Sequence, residues 1–566
     1  TASAAQQASK CDGVGGGRVK GRDVLLEVLT TEGVRHIFGN PGTTELPLVD
    51  ALASRDDPAY VLALQEATAV AMADGYAQAT GRPAFLNLHT SAGLGNAIGN
   101  LTNAQANSTP LVVTAGQQDR RHIAADPLLA GDLVGLARPV SKWAHEARTV
   151  GELGVIMRRA FHDAATAPAG PVFVSLPMDL LEEETDAPVP APSRIDRRVV
   201  PADLTELADL LASTHRAELA IVAADEVAAS GGVEALVGVA ETLGCAVFGA
   251  PLRSNVVFPA RHPLWHGDLA PAAAAINKTL SRFRRVLFVG GRAFMVYPYT
   301  PGPALPPGVE LLHLSPDAHQ LGRTWPTRLG VHGDPKATLE ALRPMLEEQV
   351  DVSASAAAVE AARVDSDGRA AQLEEKAVAR YGDTAMHPMA AAHALMRALP
   401  PESAVVDEAI TTGTYVRGFH HVSGSGRYFF CRGGGLGWGM PAALGVSLGF
   451  DREPVLCVVG DGSAMYSPQA LWTAAHERLP VVFAVVNNRQ YLILKNALRS
   501  MDGDTVATGR YVAMDIVDPP VDYVTLARSM GVEATLVEKA GDVGDAVRAA
   551  WDSGHPHLLE LPITVP

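Results

Sequence analysis

Two short strings constrain the fold of this chain more than any other feature: Gly460-Asp461-Gly462 and Asn487-Asn488, separated by the 24 residues 463–486. An apolar run at 455–459 leads into the first string and another at 480–486 leads into the second, so each string falls at a strand end. Strands joined by a connection of helix length are parallel neighbours. The two strings therefore lie side by side where parallel strands open onto helix N-termini, the usual ligand crevice of an α/β sheet. An acidic and an amide oxygen there, beside room for a diphosphate-sized anion, suit Mg2+, which keeps few protein ligands and shares the rest with phosphate oxygens. Either string alone is more often a loop or turn than a ligand site; their spacing and strand context together favour ligand binding.

At 566 residues the chain exceeds a single core and fits about three domains. Residues 21–188 alternate helical periodicity with β-rich runs at 36–38, 60–64, 84–88, 111–115 and 172–176, and the Pro-rich stretch 187–192 reads as an extended linker. A second unit, 201–346, has runs at 219–223, 246–248, 285–289 and 310–314. Residues 347–382 form a linker whose Ala/Ser-rich part leads into a helix. The third unit, 383–566, has runs at 404–406, 455–459, 481–486 and 557–561. The expected fold class is α/β: three doubly wound domains with mainly parallel sheets. The first and third units look alike and the middle one different. Gly290-Gly291, after a middle-unit strand, can admit a phosphate or be only a tight turn.

A net charge of −16 and a pI near 5.6, with no basic stripe, argue against nucleic acid and anionic membrane as partners. Apolar runs are far shorter than the roughly 20 residues of a membrane span. Cys11, Cys245, Cys431 and Cys457 are scattered without a CxxC or Cys/His cluster, which disfavours a disulfide framework or zinc site and favours a reducing, cytoplasmic setting. Residues 1–20, small, polar and Gly-rich, read as a flexible tail and not as a secretory signal.

Further upstream, Gln65-Glu66-Ala67 sits between a β-rich run and an Ala-rich helix ending near Gly81. Glu66 is flanked by Val70, Ala71 and Met72, a setting for a carboxyl that donates or shares a proton; it equally suits a first-turn glutamate complementing the helix dipole. Its surroundings carry a resemblance. Asn40-Pro41-Gly42-Thr43-Thr44-Glu45-Leu46-Pro47, Gln65-Glu66, Ala73-Asp74-Gly75-Tyr76-Ala77, Asn87-Leu88-His89, Gly434-Gly435-Leu436-Gly437 and Gly460-Asp461-Gly462-Ser463-Ala464 resemble the thiamine-diphosphate enzymes, and among them the benzoylformate decarboxylase group. The similarity runs from about Gly21 to the C-terminus.

The resemblance implies pyrimidine-binding, middle and diphosphate-binding domains in that order, with thiamine diphosphate and Mg2+ as cofactors, Ca2+ being possible in the same site. By the same resemblance Asp461, Asn488 and the Gln490 carbonyl hold the metal, Gly462 and Ser463 line the diphosphate, and Leu436 props the cofactor in a bent form. Glu66 hydrogen-bonds the aminopyrimidine. His89 is an acid/base group, since histidine is the side chain whose charge changes near neutral pH; read without the resemblance it is equally a loop histidine. Thr43 takes the place of a serine that holds the substrate carboxylate, although Gly42-Thr43 also reads simply as a helix-starting turn. Leu128 and Leu129 match pocket leucines. Such enzymes place the cofactor between two subunits, which implies a homo-oligomer, a tetramer as a dimer of dimers.

Departures bear on the substrate. Tyr297 falls where the group has a second histidine, and a phenol donates a hydrogen bond but is a poor proton shuttle near neutral pH. Ala497 falls where an aromatic residue packs on the substrate ring, with Ile493, Leu494 and Lys495 before it, so the pocket is enlarged and reshaped. The leading expectation is non-oxidative decarboxylation of a benzoylformate-like 2-oxo acid to an aldehyde and CO2. A carboligase or acetolactate-synthase-like lyase is the alternative. A binding protein that has lost catalysis is a third, opposed by the presence of Glu66, Asp461 and Asn488.

Overall fold

Aliphatic runs buried along their whole length, such as Val172–Pro177 and Val481–Asn487, are satisfied inside a parallel sheet covered by helices on both faces. The computed structural model describes residues 18–383, 385–420, 426–501 and 503–565. It contains three six-stranded sheets in which every strand pairing is parallel. The α/β class with three mainly parallel sheets is as expected.

The first sheet runs Ala59–Leu62, His36–Gly39, Ala84–Leu88, Leu111–Gln117, Val172–Pro177, Ala144–Glu146, which in chain order is 2-1-3-4-6-5. The third runs Tyr428–Phe430, Ala404–Glu408, Val455–Gly460, Val481–Asn487, His557–Pro562, Glu533–Leu536, again 2-1-3-4-6-5. The middle sheet differs: Trp265–Asp268, Ala246–Gly249, Leu219–Ala223, Arg285–Val289, Glu310–Ser315, Leu329–His332, or 3-2-1-4-5-6. A 27-residue helix, Val352–Val378, occupies the segment between the middle and third sheets.

One reading of the N-terminal region changes. Residues 1–17 of the expected tail, Cys11 among them, lie outside the described residues. Val19 and Lys20 are not tail: they pair antiparallel with Thr185 and Glu184, and Gly21 begins a helix whose backbone presses on Leu180. Cys245, Cys431 and Cys457 are free and buried. No helix of the described residues is long and apolar enough to cross a membrane.

The first and third sheets meet through two helices, Glu66–Thr80 and Gly439–Gly449. Glycines let their backbones touch. A Cβ on Gly445 would lie 1.8 Å from the Met72 carbonyl oxygen, and one on Gly75 would lie 2.2 Å from that of Ala442. Beside this contact Asp74, fully buried, accepts hydrogen bonds from Thr109, Asn107 and Gln78 of its own domain and from Trp438 Nε1 across the boundary at 2.7 Å. Loss of water pushes its carboxyl up, and the four donors oppose that shift.

Candidate active site

The third sheet builds an oxygen-rich turn. Val455–Gly460 ends at Asp461, which is 4% exposed. Its carbonyl accepts the Tyr523 hydroxyl at 2.8 Å, while its Oδ2 is buried with no hydrogen-bond partner. Burial raises the Asp461 carboxyl above the usual range, although backbone N–H groups of Gly462, Arg489 and Gln490 favour its charge. The two asparagines divide their work. Asn487 donates Nδ2 to Glu560 inside the sheet at 2.8 Å, whereas Asn488 Oδ1 accepts the Gln490 N–H at 3.1 Å and shapes the turn, in which Arg489 has φ +57.

That turn is clamped. Ile516 donates its N–H to the Arg489 carbonyl and Tyr491 donates to Met514, so Gln490 faces Asp515 in a bridge made by its neighbours, and no backbone N–H among the described residues takes the Gln490 carbonyl. Lys495, left without a role by sequence, ion-pairs with Asp515 at 2.5 Å and covers the Tyr511 ring, fastening the next helix to the same clamp. A Cβ on Gly462 would lie 2.6 Å from the Tyr491 ring, so any larger residue there displaces that ring. Ser463 is buried beside it. Among the described residues no cluster of three or more His, Cys, Asp or Glu could hold a metal. One carboxylate with an unpartnered oxygen, surrounded by amide and carbonyl oxygens, fits a hard cation that takes its other ligands from phosphate or water.

The first sheet builds a histidine–carboxylate pair. Ala84–Leu88 ends at His89, and Thr90 opens the following helix with φ +42, a strained conformation for a β-branched residue, its hydroxyl buried and unpartnered. This sharp turn seats the imidazole flat on Gly42, where a Cβ would lie 2.2 Å from His89 Nδ1. Nδ1 is 2.9 Å from Glu45 Oε2 and 3.2 Å from Thr44 Oγ1. Glu45, 1% exposed, also accepts the N–H groups of Gly42 and Gly116 and the Thr44 hydroxyl. Glu45 and Thr44 thus occupy Nδ1 and fix the orientation of the ring. Sequence reasoning missed Glu45, whose carboxylate reaches back to the Gly42 N–H as the last residue of a capping box does, while Gly42 has no side chain to return the bond. Thr43 is exposed at the same turn with no hydrogen bond among the described residues; its neighbour Thr44 is the threonine that reaches His89.

Glu66 is the first residue of its helix and 8% exposed. Gln65 supplies the cap, accepting from the Thr68 N–H at 3.1 Å. Glu66 is therefore free of capping duty; Asn96 donates to its Oε2 at 3.0 Å and Gly93 lies against its Oε1. Asn96 heads a ladder along one face of helix Thr90–Asn107. Asn100 donates to the Ala67 carbonyl, Asn103 bonds both N–H and C=O of Gly435, and Asn107 accepts the Arg432 N–H. The spacing 96, 100, 103, 107 is visible in sequence as one helix face, but not what it touches.

Leu436 is half-buried at the end of this ladder, between Gly434 at φ +72 and Gly437 at φ +90. Beneath it Glu408, buried, accepts the N–H groups of Gly437, Trp438 and Gly439 at 2.8, 3.1 and 2.8 Å. The other positions lie apart. Tyr297 is 66% exposed on a loop of the middle domain. Leu128 is 85% exposed, while Leu129, at φ +68, takes the Ser91 hydroxyl on its carbonyl beside the His89 turn. Ile493 and Ala497 share the exposed face of helix Leu492–Met501, opposite buried Leu492 and Lys495. No hydrogen bond or ion pair among the described residues links Glu45, Glu66 or His89 to Asp461, Asn488 or Gln490.

The three α/β units match family models for thiamine pyrophosphate enzymes: the N-terminal TPP binding domain over residues 19–135, the central domain over 204–342 and the C-terminal TPP binding domain over 411–561. The chain belongs to the thiamine pyrophosphate enzyme family. Within it, the chain is 34% identical over 548 residues to benzoylformate decarboxylase of Pseudomonas aeruginosa, covering 95% of this chain and 97% of that one. It is 27% identical over 561 residues to the acetolactate synthase isozyme 3 large subunit of Escherichia coli, covering 96% and 92%. A solved thiamine diphosphate-dependent 4-hydroxybenzoylformate decarboxylase of Rhodococcus jostii superposes with TM-score 0.86 at 30% identity, covering 97% of this chain and 100% of that one.

Proposed function

We propose that this protein is a thiamine diphosphate-dependent, non-oxidative decarboxylase of 2-oxo acids of the benzoylformate type, releasing CO2 and an aldehyde. The observation that carries this reading is the full-length similarity to enzymes named for benzoylformate and 4-hydroxybenzoylformate. The bound cofactor supplies an electron sink for the carbon that loses CO2, which no amino-acid side chain provides. Asp461, Asn488 and the Gln490 carbonyl would hold Mg2+, or Ca2+ in its place, and Gly462 and Ser463 would line the diphosphate. Leu436 would support the cofactor, and Glu66, its Oε2 held by Asn96, would hydrogen-bond the aminopyrimidine.

In this reading Thr43 holds the substrate carboxylate with its free hydroxyl, and His89 moves protons through Nε2 while Glu45 fixes its ring. Leu128, Leu129, Ile493 and Ala497 wall the substrate, and Tyr297 donates a hydrogen bond rather than a proton. Domain limits of 21–188, 201–346 and 383–566, joined through 347–382, separate these tasks. The Glu66 and Asp461 halves sit on different sheets without a bond between them, which supports a homo-oligomer, a tetramer as a dimer of dimers, in which a second copy completes each site. Static light scattering on the active enzyme tests this; an active monomer would refute it. A cytoplasmic location follows from the reading and is tested by fractionation.

Aldehyde release from benzoylformate and from a panel of aliphatic 2-oxo acids, with thiamine diphosphate and Mg2+ supplied and an alcohol dehydrogenase as reporter, tests the activity. Turnover of benzoylformate supports the reading. Cofactor binding without aldehyde release from any of them, together with a carbon–carbon coupled product when an acceptor aldehyde is added, supports the carboligase alternative, which the exposed Tyr297 and the open Ile493–Ala497 face favour.

A further inference from the structure

The middle sheet's 3-2-1-4-5-6 order puts its switch point between the carboxyl ends of Leu219–Ala223 and Arg285–Val289, the crevice where sheets of this order take a dinucleotide. Here the crevice is filled from within. The helix after Leu219–Ala223 is five residues long, Asp225–Ala229, and opens with two carboxylates. Glu226 lies over the Gly290-Gly291 turn: a Cβ on Gly291 would be 2.5 Å from its Oε1 and one on Gly290 2.8 Å from its Oε2. His313 turns Nε2 onto the Gly290 and Gly291 carbonyls at 3.0 and 2.9 Å. Negative charge at this point repels a phosphate.

What enters instead is an arginine of the third domain. Arg432 Nη1 lies 3.1 Å from Asp225 Oδ2 and 3.9 Å from Glu226 Oε1, with the Arg432 side chain 11% exposed. Asp225 Oδ1 is held by the Ser254 N–H at 2.8 Å. Arg432 begins the segment that carries Leu436, a stretch whose other members include Gly433, Gly434, Gly435 and Gly437 and which has little stiffness of its own. Asn103 and Asn107 of the first domain hold its backbone, Glu408 holds its end, and Arg432 is its only charged side chain.

We propose that the switch-point crevice of the middle domain is a closed socket for Arg432 and not a nucleotide site, and that Arg432 is a positioning residue which sets Leu436 against the cofactor. This rests on the thiamine diphosphate reading above. Calorimetric titration of thiamine diphosphate with Mg2+ into the full chain tests it, using Arg432→Met, Leu436→Ala and the double variant. Arg432→Met is expected to weaken cofactor binding roughly ten-fold. The double variant is expected to bind no more weakly than Leu436→Ala alone, because the arginine acts through the leucine. If Arg432→Met does not fold, Asp225→Asn, which keeps the shape of the pair, takes its place with a smaller shift in the same direction.

Unchanged affinity in a folded variant, or losses that add in the double variant, overturns the positioning role. Titration of NAD or ADP into the wild type is expected to give no heat, and saturable binding of either overturns the closed socket. A wild type that fails to bind thiamine diphosphate sinks the functional reading itself, a result distinct from a wild type that binds and an Arg432 variant that binds equally well.

Discussion

The first and third sheets thread their strands in one order and present different chemistry at the same topological point. Strand three of the first sheet, Ala84–Leu88, ends at His89, backed by Glu45; strand three of the third, Val455–Gly460, ends at Asp461, beside the Asn488 turn. The middle sheet, with another order, closes its crevice with Glu226 and Arg432. Topology thus decides where a crevice opens, and the side chains at the strand ends decide what it offers: an unpartnered carboxylate oxygen, a carboxylate-backed imidazole or an ion pair that fills it.

The largest effect is expected where one sheet's contribution is removed outright. Asp461→Ala deletes the only carboxylate of the oxygen turn and should weaken Mg2+-dependent cofactor binding by more than about 100-fold, measured by calorimetry with Mg2+ and with EDTA. Retention of metal-dependent binding would move the metal elsewhere. On the other sheet, Glu66→Gln keeps the Asn96 contact and removes the proton; turnover should fall on the order of 100-fold or more, with the cofactor still bound. Glu45→Gln acts one shell further out, on the orientation of His89, and a loss of about ten-fold in kcat with KM little changed is expected. Equal damage to kcat and to thermal stability would make Glu45 merely structural. The two sheets are distinguished if the Asp461 variant fails in binding and the Glu66 and Glu45 variants fail in rate.

Much of this contrast is legible in the sequence. The strand-end strings, Glu66 at its strand-to-helix junction and the likeness of the outer units are local or periodic features, and the thirteen β-rich runs become strands. The strands that sequence missed in the three sheets, Ala144–Glu146, Trp265–Asp268, Leu329–His332, Tyr428–Phe430 and Glu533–Leu536, all lie at sheet edges. An edge strand is covered less completely, so most of these have no continuous apolar run to betray them; Glu533–Leu536 buries only Ala534. Glu45 beneath His89 and Arg432 in the Asp225 pair are invisible for another reason: a carboxylate or guanidinium reads as surface until folding brings its partner from a distant segment.

A smaller effect tests how the two outer sheets are joined. Gly445→Ala drives a Cβ into the Met72 carbonyl, backbone against backbone, so the helices must part; destabilisation of about 3 kcal/mol is expected, read as a lowered denaturant midpoint. Gly368→Ala, in the exposed connecting helix with nothing within 4 Å, should stabilise by about 0.5 to 1 kcal/mol instead. If both alanines act alike, the close approach of the outer domains contributes nothing to stability.

The finest contrast is in pH, and it again sets the first sheet against the third. His36 opens strand one of the first sheet; burial, reinforced by Arg35 and Arg452, holds its imidazole down at about 4 from an ordinary 6.5. The fold thus resists protonation, and the stability tied to His36 is lost as pH falls from 6.5 towards 4. Glu408 closes strand one of the third sheet, and burial pushes its carboxyl up from 4.5 to about 7 against the pull of three backbone N–H groups. Here the fold favours the protonated form, so the associated stability is present below 4.5 and lost as pH rises towards 7. Between 4.5 and 6.5 the two slopes oppose. Relative to the wild type, His36→Phe should make stability fall more steeply with rising pH, and Glu408→Gln should make it climb, each by at most about 1.4 kcal/mol per pH unit. Urea midpoints at pH 5 and 6.5 at constant ionic strength measure both slopes. Changes of the same sign in the two variants would show that the acid and the base of these matched strands do not oppose each other.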